Sequence, residues 1–253
     1  LMSCLKKAAA LSFFIYALVV SPSGIAWSGA GHDWIARQAS AHLSNDSRAY
    51  YQRLAAQLQP QFLAPPTAKR GGDALAYLAR FPDQMRSLSL EDVFARYDAD
   101  VPAALRVFAN DDTANWHYHN NVQPAANASH CHFRNHGRLV DRLKKIDAVL
   151  ASRAAPLSLT QEAILTAFAI HLIQDVHQPL HTFTRLLPSC KHDLGGNRYC
   201  VQKGLVGQCK QSLHRLWDGG FGVFESDISV AVGKQNTFSL EPKQWADESL
   251  RYY

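Results

Sequence analysis

The chain has 253 residues, 47% hydrophobic and 19% charged, with 14 Gly and 11 Pro, a balance that excludes a collagen-like, coiled-coil or disordered protein. Length alone allows one large domain with a sizeable core. A net charge of +5 and a pI near 9.0 lean toward anionic partners such as nucleic acid or phosphate esters, and 12 His against 5 Cys and 2 Met single out imidazole chemistry.

Residues 1–26 read as a secretory signal peptide. Lys6 and Lys7 form its charged head, Ala8 to Val20 its apolar stretch, and Gly24 and Ala26 supply small residues before a cut at Trp27. That stretch is shorter than the roughly 18 apolar residues a spanning helix needs. The mature domain is therefore expected to cover 27–253 and to be secreted or periplasmic. It keeps Cys131, Cys190, Cys200 and Cys209. An even number in an exported chain predicts two disulfides in any of three pairings, and without a C-x-x-C pair a thiolate zinc site is disfavoured.

The mature chain then reads as mostly helical. Residues 31–43 place His32, Ile35, Ala36, Ala39 and Leu43 on one face. A loop follows at Gln59–Gly72, a helical segment around Glu91–Phe108, and loops at Asn110–Asn115 and Val122–Ser129. Residues 137–151 repeat the helical period through Leu139, Leu143, Ile146 and Leu150. Residues 160–176 form the strongest helix, with Thr160 as N-cap and Pro179 as its stop. Asn197–Gln202 is extended and predicts a hairpin, and a short helix over 211–218 ends at Gly219-Gly220. The fold class that results is mainly α: a single helical domain with a small disulfide-bearing β-hairpin.

The strongest helix carries an anomaly. Ile164, Phe168, His171 and Asp175 share one stripe, so an imidazole and a carboxylate lie on the apolar face. Burying Asp175 without a partner costs several kcal/mol, so a cation must face it. His and Asp four apart project side by side, which suits two ligands of one metal site. The same spacing recurs at His214 and Asp218, while His181 follows just past Pro179. His32 lies on the inner face of the first helix, and His117 and Asp83 stand in N-W-H-Y-H-N and F-P-D-Q-M-R. Imidazole and carboxylate without thiolate favour zinc or a similar divalent ion in a hydrolytic site, and this many ligands exceed what one ion needs.

Taken in order, W-x4-H, P-D-x-x-R, W-H-Y, H-x3-D-x-H-Q-P-L-H, D-x-G-G-N and L-H-x-x-W-D resemble the S1/P1 nuclease family, from Trp27 to Asp218. The resemblance implies a helical domain of the phospholipase C/P1 nuclease type around three zinc ions. One ion would be held by Asp83, His117, His171 and Asp175. A second would take the amino group and carbonyl of Trp27, His32 and the other oxygen of Asp175. The third would take His181, His214 and Asp218. Asp83 and Asp175 thereby enter the catalytic centre with Arg86, which resembles the family's phosphate-binding arginine. A terminal α-amine has a pKa near 8 and can bind a metal once deprotonated, so signal cleavage would itself complete the site. Tyr118 matches the position on which the family stacks a base, Asn120 stands where relatives carry an aspartate on the base edge, and Asn197 and Asp193 shape the cleft.

His119 is expected to point away from His117 and stay outside the site, and His177 to support a ligand rather than be one. His130, Cys131, His132 and His136 read as a loop tied by a disulfide. Two departures from the family stand out. The longer interval between Asp83 and His117 predicts a rim over the cleft built from Glu91–Phe108, and relatives continue with helical sequence past the equivalent of Tyr253. The expected activity is a zinc-dependent endonuclease hydrolysing single-stranded DNA and RNA to 5′-phosphorylated products, with 3′-nucleotidase activity on nucleotides. It would act as a monomer without a stable protein partner. The rivals are a zinc phospholipase C-like phosphodiesterase, whose relatives differ in the first gap and end the last ligand pair in Glu, and a non-catalytic zinc-binding protein.

Overall fold

The computed structural model describes residues 27–60, 72–124, 127, 129–152, 155–204 and 208–222. The signal-peptide segment, the C-terminal residues 223–253 and most of the loop expected at 59–72 lie outside the described residues.

The helices are α1 (Gly29–Ala41), α2 (Asn45–Leu58), α3 (Ala74–Met85), α4 (Leu90–Ala95), α5 (Leu139–Ala151), α6 (Leu159–Val176), α7 (Pro179–Thr182) and α8 (Leu213–Asp218). Single 3₁₀ stretches cover Ala103–Phe108 and Thr113–His117. Among the described residues there are also a 3₁₀ stretch at Gly220–Gly222 and four short strands: β1 (Asn121–Pro124), β2 (Phe183–Leu186), β3 (Cys200–Lys203) and β4 (Cys209–Ser212). The mainly helical class and the small hairpin agree with the sequence reading.

Helix α6 is the axis of the fold, with α2, α3 and α5 packed around it. Six consecutive residues, Ala163 to Phe168, are buried, so the middle of the helix is covered on every side. Trp116, Phe81, Phe94, Phe168, Leu54 and Leu78 fill the surrounding core, each fully buried side chain contributing about 1.5–3 kcal/mol. The start of α6 lies two residues earlier than Thr160. Ser158 accepts from the Gln161 amide while the Gln161 side chain accepts from the Ser158 amide, a reciprocal pair that Thr160 cannot form because no Gln or Glu stands three residues beyond it.

Two loop expectations and the expected rim also change. Asn110–Asn115 runs into the turn Thr113–His117, which Asp112 caps through the Ala114 amide. Val122 belongs to β1, which pairs in parallel with β2 in the register Asn121↔Phe183 to Pro124↔Leu186. The segment Glu91–Phe108 does not rim the cleft. Leu90, Val93, Phe94 and Leu105 are buried in the core, because the interval has its own apolar face to hide.

The disulfides are Cys131–Cys190 and Cys200–Cys209. The second closes the antiparallel β3–β4 hairpin. The first ties the segment after β1 to the segment after β2, at the mouth of the site described next.

Candidate metal centre

The second half of α6 turns from apolar to polar without leaving the interior: His171, Gln174 and Asp175 are all buried. Asp175 is fully buried, and both its oxygens look at imidazoles. Oδ2 lies 3.1 Å from His171 Nε2 and 3.2 Å from His117 Nδ1, while Oδ1 lies 3.5 Å from His32 Nε2 and 3.6 Å from His181 Nδ1. Four helical or turn elements meet at this carboxylate: α1 brings His32, the turn Thr113–His117 brings His117, α7 brings His181, and α6 brings Asp175 and His171. Asp83, near the end of α3, closes the ring with Oδ1 3.8 Å from both His117 Nδ1 and His171 Nε2.

The ring tautomers are set from behind. His171 Nδ1 donates to the Ala79 carbonyl at 2.6 Å, His181 Nδ1 to the His117 carbonyl at 2.7 Å and His214 Nδ1 to the Gly195 carbonyl at 2.7 Å. His32 Nδ1 donates to Gln174 Oε1 at 2.6 Å. In His32 and His181 the bond leaves Nε2 buried without a hydrogen-bond partner, the state a metal ligand needs, while His171 Nε2 lies 2.8 Å from His117 Nδ1. The local sequence explains these partners. Pro82 stands inside α3, and the Ala79 carbonyl three residues before it takes the His171 bond. Leu194, Gly195 and Gly196 take positive φ in succession, and a Cβ on Gly195 would lie 2.1 Å from the Leu180 carbonyl, so only glycine delivers that carbonyl to His214.

Among the described residues, three groups hold ligand atoms within 4.8 Å of one another without using a disulfide: His32–Asp83–His171, His117–His171–Asp175 and His181–His214–Asp218. A fourth, His130–Cys131–Cys190, has both sulfurs committed to a disulfide, which agrees with the tied-loop reading. The donor set fits a cluster of divalent cations. His32 Nε2, Asp83 Oδ1, His117 Nε2, Asp175 Oδ1 and His181 Nε2 are buried without a hydrogen-bond partner, and buried polar atoms are rarely left so. Trp27 and Ser28 lie against the same centre, the Trp27 indole donating to the Gln174 carbonyl at 2.9 Å and the Ser28 amide to the Asp218 carbonyl at 2.8 Å.

Electrostatics without a metal are correspondingly frustrated. Burial holds His32, His117 and His181 well below the ordinary imidazole range. Burial works the same way on His171, but Asp175 and Asp83 outweigh it and raise that ring to about 9. Desolvation lifts Asp83, lifts Asp175 to about 6 against the pull of His171, and lifts Asp218 to about 9 despite its bond from Gln178.

The centre lies at the base of a cleft of about 700 Å³, whose lining includes Arg86, Tyr118, Asn120, Asn197 and Leu194. Arg86 Nη1 lies 3.9 Å from Asp83 Oδ1, and Nε and Nη1 are buried without a hydrogen-bond partner, leaving N–H donors for an incoming anion. Tyr118 is half-buried, its hydroxyl held by Asn115 Oδ1 at 3.0 Å. Asn197 donates to the Leu194 carbonyl, and Asp193 accepts from the Arg185 amide and Thr184 hydroxyl, which fixes the turn beside the cleft.

His119 belongs to none of the three groups; its amide donates to the His181 carbonyl. His177 is exposed at the end of α6, with its ring on the Ile173 carbonyl, so the expected supporting role does not fall to it. That role is filled by two glutamines the sequence reading passed over. Gln174 holds His32, and Gln178 caps α7 through the Leu180 amide while donating to Asp218 Oδ1 at 2.7 Å. Both lie within one turn of Asp175, which is the signal that could have found them.

The model of one protein family, described as S1/P1 nuclease, matches residues 27–252. No curated protein matches the chain.

Proposed function

Because the chain belongs to the S1/P1 nuclease family and so to the hydrolases of phosphodiester bonds, we propose that it is an endonuclease of single-stranded DNA and RNA. It releases 5′-phosphorylated ends and also removes phosphate from 3′-nucleotides. The observation that carries this reading is the convergence of four imidazoles on the buried Asp175 carboxylate, beside a cleft that Arg86 and Tyr118 line. Storage of metal needs neither a phosphate clamp nor a stacking platform.

S1/P1 nucleases are zinc-dependent, and His/Asp groups that could hold metal ions are present here. We assign three ions: one to Asp83, His117, His171 and Asp175, one to His32, Asp175 and the Trp27 terminus, and one to His181, His214 and Asp218. When bound, zinc supplies Lewis acidity and brings water within reach of deprotonation near neutral pH.

The chain's own residues do the rest. Asp175, hidden from solvent, carries negative charge into the centre. The backbone carbonyls behind His171, His181 and His214 keep those rings in one tautomer. Arg86 offers its N–H groups to the phosphoryl oxygens, where negative charge grows in the transition state. Tyr118 presents a ring for an unstacked base, which favours single strands because a paired base keeps its faces covered. Two disulfides support export to an oxidising compartment; the proposed enzyme acts as a monomer, with 27–253 as its catalytic domain.

The test is hydrolysis of matched single-stranded DNA, single-stranded RNA and duplex DNA, with end analysis of the products. Chelator-sensitive cleavage of the single strands to 5′-phosphates is expected. Hydrolysis of phospholipid headgroups with no cleavage of nucleic acid would overturn the proposal.

A further inference from the structure

The segment 131–138 forms no hydrogen-bonded ladder, yet its burial alternates like a strand. Cys131, Phe133 and Asn135 are half-buried and Gly137 is buried, while His132, Arg134, His136 and Arg138 are exposed. Two arginines and two histidines thus stand exposed in a row at alternate positions of the segment.

The row is anchored rather than loose. Cys131 is bonded to Cys190. Asn135 Oδ1 accepts from the Gly137 amide at 2.9 Å and the Asn120 amide at 3.3 Å, and the Arg138 amide donates to the Asn115 carbonyl at 2.8 Å. Gly137 packs so closely on Tyr118 that a Cβ would lie 2.2 Å from the Tyr118 carbonyl oxygen. The segment is therefore fixed to the same stretch, Tyr118–Asn120, that presents the stacking ring.

Phe133, Arg134, His136 and Arg138 line the cleft that leads to the metal centre. Phe133 is buttressed edge-on by His192, with ring centroids 5.2 Å apart. Among the described residues, no carboxylate pairs with Arg134 or Arg138. The acids on the cleft wall are otherwise engaged: Asp111 accepts two bonds from Arg142, and Asp112 caps the turn through Ala114. One wall of the cleft is thus basic with an aromatic ring interleaved, and the reaction assigned above uses none of it.

We infer that Cys131–Arg138 is a strand-binding rim, in which Arg134 and Arg138 hold phosphates of a single-stranded nucleic acid outside the nucleotide being cleaved. The inference rests on the nuclease reading and deepens it: the preferred substrate is a polymer, not a mononucleotide or dinucleotide. A flexible polyanion gains from a row of fixed cations through counterion release, whereas a substrate with one phosphate does not reach the row.

The test compares the zinc-loaded enzyme with the variant Arg134→Gln/Arg138→Gln on a long single-stranded oligonucleotide and on a dinucleoside monophosphate. For the oligonucleotide, KM rises about tenfold in the variant, and the slope of log KM against log salt falls by about 1.4, from 0.7 per phosphate contact. The values for the dinucleoside monophosphate stay unchanged. Because a phosphate accepts a point charge, Arg134→Lys/Arg138→Lys keeps oligonucleotide KM near that of the parent, which separates charge from local structure. An unchanged oligonucleotide KM and salt slope in the Gln variant, with the parent active, overturns the rim alone. A parent that cleaves neither substrate overturns the nuclease reading and the rim with it.

Discussion

Replacing Gln174 with Leu removes one oxygen from the centre and little volume. Gln174 is buried, and its Oε1 accepts from His32 Nδ1 at 2.6 Å. With Leu there, the fully buried imidazole loses the bond that fixes its tautomer, and a buried polar group left unsatisfied costs about 1–3 kcal/mol. Partners behind a metal-ligating His are worth about 10–100-fold in metal affinity, which at about 1.4 kcal/mol per decade is the same range. The loss should be confined to one ion. The Trp27 indole bonds the backbone carbonyl of residue 174, which the variant keeps, and His181, His214 and Asp218 have their own supports in the His117 carbonyl, the Gly195 carbonyl and Gln178. Competition with a chelator of known affinity should therefore show one zinc weakened about 10–100-fold in Gln174→Leu and the others unmoved. Gln174→Glu, which keeps an acceptor, should stay near the parent. A folded Gln174→Leu protein that holds every ion as tightly as the parent would refute the reasoning.

Three further outcomes follow from the same geometry. Arg86→Ala should lower kcat by about 10²–10³-fold, as loss of a transition-state donor does, with metal content unchanged; a fall in KM affinity alone would contradict that role. Tyr118→Ala should weaken binding of single strands by about 1–3 kcal/mol, and Tyr118→Phe should restore most of it because stacking needs only the ring. Chelator-treated protein should lose stability as pH rises from about 6.5 to about 9. His171 and Asp218, both raised to about 9, bind more protons folded than unfolded across that window, so the folded state is favoured at its lower end. The zinc-loaded protein runs the other way because ligands must be deprotonated, so the gap between loaded and metal-free Tm should widen toward pH 9. A gap that narrows would count against the ligand set.

What the sequence makes legible is whatever a single period or a fixed offset records. His171/Asp175 and His214/Asp218 are i, i+4 pairs on apolar faces, and burying a carboxylate demands a cation, so the centre could be read before any fold was known. The hairpin followed from an extended run bracketed by cysteines. The parallel pairing of β1 with β2 was not legible, because the partners lie some sixty residues apart and only packing of the intervening helices sets their register. Helix α3 is absent from the sequence reading; Pro82 stands within it, and its cost is met by seven other buried residues of the same helix. The interval 91–108 was misread as a rim since its apolar residues could face either a cleft or a core. Gln174 and Gln178 were in plain view, but an amide gives no charge signal, and its role appears only once its oxygen or nitrogen meets a ligand.

In the proposed function the Trp27–Asp218 stretch assembles a zinc centre that cleaves single-stranded nucleic acid, with the Trp27 amine as part of it. The direct measurement is zinc content together with single-stranded DNA hydrolysis, on protein beginning at Trp27 and on protein with one residue added before it. Close to three zinc ions and chelator-sensitive cleavage in the first, with loss of an ion and of activity in the second, is the predicted result. Fewer than two ions in the protein that begins at Trp27, or a full complement of zinc with no cleavage of DNA or RNA, would contradict it.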